Sequence, residues 1–553
     1  MKKIISIALC ATLVVAASAQ TMQDALFLSE NNYLGTARGV GMGNALTALG
    51  GDPGSLTFNP AGSAVASYTQ FVVTPGFTFS LANAQASEGM SLMGDKKNTL
   101  YGNVKLPNLG FIISMDSGRR SGLKRMSLGL VVNSTNNFTG RYNGAGVNDD
   151  NSYAASLASS ADGYAENVLA NEGWYYSGDP SRMPAWVDMV GYRSGMFNAV
   201  SGRDGAYVAL TEIIDDEGKF RLAAPVYQKY GQQTRGSKYD ILLNYALNFS
   251  DRFYIGANLG FAILSYSLSE YWYEEPENVA DFPVIRYSDG STGQFESLRM
   301  RYNYRLSGNG LYLKLGALWR PVPGLRLGVA VQTPTLLNLN ERYAYSGETQ
   351  ISGRIGTASS PEDEWIYALR TPFRANVGAA FTLGDKAVFS ADYEFVNYRQ
   401  AAFRSRTSDN DYSIGSFSGV NEDIRDFLGA SHQLRLGAEV KVIPALSLRA
   451  GYNLITGGQR YFTDGSAIPM EDRVKMFTHN VSVGVGYSFG SVFLDAAIRS
   501  RFVPREYIIP YNYYYAPDQS AFYNKVVDPD IVTPELLVRR TYIDALLTVG
   551  WRF

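Results

Sequence analysis

Between Gln433 and Val442 the chain alternates strictly. Leu434, Leu436, Ala438, Val440 and Val442 fall on one face, and Gln433, Arg435, Gly437, Glu439 and Lys441 on the other. A period of two is that of a β-strand with one apolar and one polar face. The next stretch repeats it, with Leu446, Leu448, Ala450, Tyr452 and Leu454 against Ser447, Arg449, Gly451 and Asn453. A third follows, with Val481, Val483, Val485, Tyr487 and Phe489 against Asn480, Ser482, Gly484, Gly486 and Ser488. Read in this way the chain predicts fourteen strands, at 70–82, 104–115, 125–142, 236–249, 252–270, 296–320, 325–341, 370–383, 386–404, 432–443, 446–456, 479–489, 491–503 and 540–553.

The connections alternate too. Short links at Ser117–Lys124, Ser250-Asp251, Pro321–Gly324, Gly384-Asp385, Pro444-Ala445 and Gly490 are separated by long polar ones at 83–103, 143–235, 271–295, 342–369, 405–431, 457–478 and 504–539. Short turns on one side and long loops on the other are the mark of a transmembrane barrel. The predicted fold is therefore an all-β, fourteen-stranded antiparallel transmembrane β-barrel. Its last strand alternates Ile543, Ala545, Leu547, Val549, Trp551 and Phe553 with polar residues and stops on an aromatic, which resembles the C-terminal signal of bacterial outer-membrane proteins.

Lys2 and Lys3, an apolar run Ile4–Ala16 and the small residues Ala17-Ser18-Ala19 predict a signal peptide over 1–19. The run is too short for a spanning helix, which needs about 20 apolar residues, and no later stretch supplies one. The only cysteine, Cys10, lies in this signal, so the mature chain is expected to lack thiol chemistry. A net charge of −2 gives no basic footprint for nucleic acid. The expected location is the outer membrane of a Gram-negative bacterium, with the barrel-assembly machinery and outer-membrane lipid as partners of a monomer.

Residues 20–69 do not fit the strand pattern. Thr21–Tyr33 reads as a helix, followed by the glycine-rich run Gly39–Asn44 and by Asn59-Pro60-Ala61-Gly62. No strand precedes the glycines and their spacing fails the dinucleotide fingerprint. Glycines allow close backbone approach in a crowded lumen, so 20–69 is expected to form a plug within a barrel running over 70–553, whose largest external loop is 143–235. Pro60 fixes its own φ and restricts Asn59. A rigid gate and a plain stabilising turn both satisfy that pattern.

Asn59-Pro60-Ala61-Gly62, preceded by Gly35-Thr36-Ala37-Arg38-Gly39 and Ala48-Leu49-Gly50-Gly51-Asp52, resembles the FadL/TodX group of outer-membrane transporters for long-chain fatty acids and other hydrophobic compounds. Weaker marks are Leu313–Ala317 with Arg320-Pro321, Gln332–Thr335 and Thr371–Arg374. The resemblance implies a fourteen-stranded barrel with an N-terminal hatch in its lumen. It implies that Asn59, Pro60 and Ala61 gate passive transport of a small hydrophobic, fatty-acid-like molecule, with no cofactor. The loop 143–235 departs from the family, so capture of ligand there is not carried over. Related barrels also resemble secretion-system shuttle proteins or haemin receptors, which leaves a binding or docking role as the alternative.

In the third strand Leu128, Leu130 and Val132 set the lipid-facing register, but Ser134 and Asn136 then share that face. Either the strand has left the apolar zone, or Asn133, Ser134, Thr135, Asn136 and Asn137 bend away and open a lateral window. Arg374, Asp392, Glu394, Arg435, Glu439 and Arg449 face the lumen, where opposite charges are expected to pair and brace the wall and plug. A carboxylate ligand would suit one of the lumen arginines, and the sequence does not choose which. The aromatic patches expected in external loops, Glu270–Glu275 and Tyr507–Tyr515, suit an apolar ligand or packing over the mouth, and Tyr153–Asn171 reads as a capping helix. His432 and His479 come with no nucleophile motif or metal-ligand spacing, so no enzyme and no metal site is expected.

Overall fold

In a computed structural model, which describes residues 20–171, 184–287, 289–406, 417–462, 466–512, 526–527 and 532–553, the strands close into an antiparallel barrel of fourteen. They are β1 (Gln70–Ala86), β2 (Lys97–Asp116), β3 (Leu123–Asn137), β4 (Val226–Phe249), β5 (Phe253–Pro276), β6 (Phe295–Val322) and β7 (Leu325–Gln332 and Leu336–Ile351). The second half comprises β8 (Asp363–Arg370 and Arg374–Leu383), β9 (Ala387–Asn397 and Ala402–Ser405), β10 (Ala430–Ile443), β11 (Leu446–Ile455), β12 (Thr478–Phe489), β13 (Val492–Phe502) and β14 (Leu536–Arg552). Closure comes from β1 pairing with β14 at Phe79 and Ile543. A closed ladder leaves no edge, the condition for a sheet in hydrocarbon.

Outward positions are apolar in a belt. On β5 it runs from Phe253 through Ile255, Leu259 and Phe261 to Ile263, and then Ser265, Ser267 and Ser269 take over the outward positions. Inward positions are polar and buried, among them Asn244, Asn258, Lys314, Arg435 and Asp544. This inversion, apolar outside and polar inside, is that of bacterial outer-membrane barrels.

Several elements differ from the expected ones. β7 and β8 are not continuous: each is interrupted beside a proline, at Thr333-Pro334-Thr335 and at Thr371-Pro372-Phe373. Proline cannot donate to a ladder. The two breaks are neighbours and are tied together, with Thr371 N–H donating to Thr335 O at 2.8 Å and Thr335 N–H to Thr371 Oγ1 at 2.9 Å. β4, β5 and β6 run well beyond the belt, so Glu270–Glu275, expected in a loop, lies on the protruding part of β5. The first helix is shorter than expected, α1 (Met22–Ser29), because Glu30 turns to extended backbone. The segment Tyr153–Asn171 breaks into two helices, α3 (Tyr153–Ala161) and α4 (Glu166–Ala170), between which Gly163 takes a φ of +96°. Tyr511 is described and buried, whereas Tyr513–Tyr515 lie outside the described residues.

With α5 (Trp186–Arg193), α3 and α4 form a cap over the protruding strands. Its core gathers Leu157, Met189, Phe197 and Tyr207 with Phe295, Leu298 and Met300 from β6. Tyr153 stacks on Trp272 of β5 with ring centroids 5.2 Å apart. Two carboxyls are buried in the cap. Glu274 accepts from the Tyr153 and Ala154 N–H groups at 2.5 and 3.3 Å, and Asp188 accepts from Ser160 Oγ at 3.0 Å. Burial pushes both up to about 7.

A carboxyl raised on folding stabilises the cap at low pH and loses that contribution as pH climbs from its unfolded value, about 4, to about 7. Limited proteolysis of the cap is expected to quicken over that interval, and Asp188→Asn is expected to slow it at pH 8. A cap whose cleavage rate is flat with pH contradicts this.

Candidate functional site

The N-terminal segment 20–69 lies inside the barrel, and its local structure follows from its caps. Thr21 Oγ1 accepts from Asp24 N–H, and Asp24 returns a bond to Thr21 N–H at 2.8 Å, a capping box that starts α1. Thr36 caps α2 (Ala37–Gly41) and donates to Asp52 at 2.8 Å. Gly43 and Asn44, with φ of +62° and +61°, reverse the chain after it.

Asn59, fully buried, opens a short 3₁₀ helix over Pro60–Val65, so the Asn-Pro-Ala-Gly run is a helix start rather than a plain turn. Its Oδ1 accepts from Ala61 N–H at 3.1 Å. Its Nδ2 donates to Thr47 O at 2.8 Å within the segment and to Ala317 O of β6 at 3.0 Å. Pro60 O accepts from Asn244 Nδ2 of β4 at 2.9 Å. One asparagine thus shapes the turn and joins it to the wall.

Close approach is made possible by the wall as much as by the segment. Glycines face inward in cross-strand pairs: Gly256 with Gly316, Gly328 with Gly378, and Gly437 with Gly451. A Cβ on Gly316 would lie 2.0 Å from Asn59 Oδ1, one on Gly328 2.4 Å from Thr47 O, one on Gly437 2.4 Å from Met42 O, and one on Gly451 2.0 Å from Gly43 N. Real Cβ atoms do not come so near another heavy atom, so any other residue at these positions displaces the segment's backbone or, at Gly316, the Asn59 side chain. The sequence reading assigned close approach only to the segment's own glycines. The wall glycines occupy the polar face of the alternation, where they look like neutral spacers.

The lumen charges converge in clusters. Glu394 of β9 takes Arg374 at 2.8 Å and also Arg435, while Arg374 reaches Ser29 O. Glu439 takes Arg38 of the segment at 2.9 Å and Arg449 at 2.6 Å, and Arg449 also holds Asp495 at 2.6 Å. Asp392 accepts from Thr47 N–H at 2.6 Å rather than from an arginine. All six singled-out charges therefore bond to the segment directly or share an acid with a group that does: Arg374, Asp392, Glu394 and Glu439 directly, Arg435 through Glu394 and Arg449 through Glu439.

The wall is interrupted between β2 and β3. The ladder runs from Asp116 opposite Arg125 to Asn108 opposite Asn133, and there it ends. Beyond it, the Lys97–Pro107 part of β2 pairs with β1 alone, and β3 with its continuation Gly140–Asn148 pairs with β4 alone. β1 carries a bulge at Pro75 and β3 one at Thr135. The bulge corrects the expected register of Asn136, which pairs opposite the buried Lys238, whereas Ser134 keeps its place opposite Tyr239; all of Asn133–Asn137 is buried.

The freed edge of β3 is taken by the N-terminal segment. Asn32 N–H donates to Thr135 O at 2.7 Å and Leu34 N–H to Ser134 O at 2.9 Å. Asn133 donates to Thr57 Oγ1 at 2.6 Å and accepts from Asn108 at 2.6 Å, and Asn137 donates to Thr78 at 2.9 Å and accepts from Lys105. Only side chains span the gap, as in Asn103 to Thr139 at 3.2 Å, until Gly94 and Asp95 meet Ala145 farther out. Phe138 and Phe27, ring centroids 4.8 Å apart, lie at its inner side. Pro75, Pro107 and Asn108 were missed by the sequence reading. A proline at a strand position was the available signal.

His432 and His479 each bond through Nδ1 to a tyrosine, Tyr393 at 2.6 Å and Tyr452 at 2.8 Å. Among the described residues no three His, Cys, Asp or Glu side chains gather as metal ligands.

Among solved structures the chain is similar to the P. putida toluene transporter TodX, with 13% identity over 95% of this chain and 99% of that one and a TM-score of 0.46. It is also similar to a Pseudomonas aeruginosa FadL homologue, with 12% identity, 95% and 100% covered and a TM-score of 0.48. The Ralstonia pickettii toluene transporter TbuX gives 13% identity, 95% and 100% covered and a TM-score of 0.44. No family model and no curated protein matches the chain.

Substituting a wall glycine tests how the segment is held. Gly451→Val is expected to leave a heat-modifiable, folded barrel in which the N-terminal segment is dislodged, read as a several-fold rise in ion conductance across a planar bilayer. Conductance equal to that of the unaltered protein would show that the segment tolerates the side chain.

Proposed function

We propose that the protein is an outer-membrane channel that passes long-chain fatty acids or other small hydrophobic compounds without energy input. In this reading residues 20–69 are a hatch, Asn59, Pro60, Ala61 and Gly62 its rigid gate, and Asn133–Asn137 the rim of a lateral window through which the ligand leaves into the membrane. The observation that carries it is a coincidence of position. The break in the ladder between β2 and β3 lies on the β3 edge that the N-terminal segment occupies through Asn32 and Leu34.

Two backbone hydrogen bonds on that edge link any shift of the hatch to the state of the window. Their net worth, about 0.5–1.5 kcal/mol each, is small enough for a ligand to displace. Ion pairs such as Arg38 with Glu439 keep the rest of the hatch seated. Apolar Phe27 and Phe138 give the ligand a wall to cross beside the gap.

Uptake of labelled oleate by Gram-negative cells lacking their own fatty-acid porin tests the reading. Uptake is expected to depend on the protein and to fall when Asn59–Ala61 is deleted from a variant that still assembles. No uptake by a folded barrel in the outer membrane overturns it. For the window, the mature chain offers no thiol of its own, so cysteines at Asn103 and Thr139 form a clean clasp. Oxidation is expected to cut uptake at least fivefold and reduction to restore it. Full uptake through the clasped barrel refutes lateral exit.

A further inference from the structure

The outward faces of β4 to β7 change character above the apolar belt. On β6 the belt ends at Leu311, Asn309 and Ser307 follow, and Arg305 and Arg301 come next. On β5 it ends at Ile263 and gives way to Ser265, Ser267 and Ser269. On β7 it ends at Leu336, followed by Asn338, Asn340 and Arg342. Arg235 of β4 and Arg141 of the β3 continuation are exposed at a similar height.

Register sets these arginines side by side. Arg235, Ser267, Arg305 and Arg342 form one cross-strand row over β4, β5, β6 and β7. Arg141 stands opposite Gln233 in the next row outward, and Arg301 lies in the row after that. Cβ atoms directly opposite across a ladder are about 4.5–5.5 Å apart, so like charges in that relation, such as Arg305 and Arg342, repel. The acids sit at the β8 end. Glu364, opposite Arg342, accepts from its Nη2 at 2.8 Å and its Nε at 3.1 Å, and Glu362 adds to the field there. Arg235 has beside it the Gln233 side chain and the Tyr101 ring. Arg301 and Arg305 are exposed and form no ion pair among the described residues. The other charges of this face lie farther out, where Lys229 holds Glu275 at 3.0 Å and Glu348 stands opposite Arg299.

Height decides what can lie against this patch. Arg305 is separated from Leu311 by Leu306–Gly310. At about 3.3 Å per residue and a strand tilt of about 40°, it stands about 15 Å above the edge of the belt. The interfacial layer of a phospholipid leaflet is only about 5–8 Å deep, so a phospholipid head ends below the row. A glycolipid with several charged sugars reaches it. The long-loop side of an outer-membrane barrel faces away from the cell, and the outer leaflet there is lipopolysaccharide, a lipid of that build. Its phosphates and carboxylates match the planar fork of arginine, and the serines and asparagines between belt and row suit sugar hydroxyls.

We propose that the outward faces of β4 to β7, through Arg235, Arg301, Arg305 and Arg342, bind the phosphates and carboxylates of the inner sugars of lipopolysaccharide. The patch lies on the outside of the barrel, so this lipid is a partner of the wall and not a transported ligand, and the site does not depend on the transport reading above. An anion bridging Arg305 and Arg342 relieves their repulsion and supplies the charge that Glu364 gives to Arg342 alone.

Binding of rough lipopolysaccharide, lipid A with its inner sugars, to the full-length barrel folded in detergent tests the proposal. The unaltered protein is expected to bind it about tenfold or more tightly than phosphatidylglycerol, and the triple variant Arg235→Gln, Arg301→Gln, Arg305→Gln to lose about tenfold of that affinity. Arg305→Gln alone is expected to lose about threefold. Removing two charges from the short link between β2 and β3, with Arg119→Gln and Arg120→Gln, is expected to change nothing, and heat-modifiability reports that each variant folds. Affinity of the triple variant equal to that of the unaltered protein overturns the patch. Phosphatidylglycerol bound as tightly as lipopolysaccharide overturns the glycolipid as its partner. Displacement of lipopolysaccharide by about 10 mM inorganic phosphate at constant ionic strength also overturns it, by showing a site for free anions.

Discussion

Hydrocarbon supplies no hydrogen bonds, so every backbone polar group that crosses it must be satisfied by the protein itself, and the rest of this structure depends on that constraint. It forces β1 onto β14 and closes the sheet. Closure fixes which side of each strand meets lipid, and so which residues enter the lumen. A lumen bounded by fourteen strands is too wide for one layer of side chains to fill, and the N-terminal segment occupies it.

The same constraint explains the gap. Where β2 and β3 separate, the carbonyls of Ser134 and Thr135 would be left unpaired inside the wall. The N–H groups of Leu34 and Asn32 take them. The segment therefore completes the barrel where β2 and β3 part. Its other anchors, Asn59 on β6 and Arg38 on β10, are side-chain bonds that do not carry the integrity of the wall.

Buried charge is organised in the same spirit. Glu394 and Glu439 each neutralise two arginines, which makes paired clusters braces rather than binding groups. Pairing of this kind is invisible to periodicity, which reports that a residue faces the lumen but not what it meets there.

What the sequence alone determined is what repeats. Alternation of Leu434, Leu436 and Ala438 with Arg435, Gly437 and Glu439 marks strand, face and environment, because a pleated strand has a period of two and lipid and lumen want opposite chemistries. Alternating link lengths gave the direction of each strand, and the failure of residues 20–69 to alternate set them apart from the wall. What only the tertiary structure decided is where the pattern breaks and who meets whom. A one-residue bulge at Thr135 turned Asn136 from the lipid face to the interior, a reversal that any local reading of register misses. Gly316 beside Asn59 and Glu439 beside Arg38 are pairings across hundreds of residues, set by the closure of the barrel and not by any neighbour in the chain.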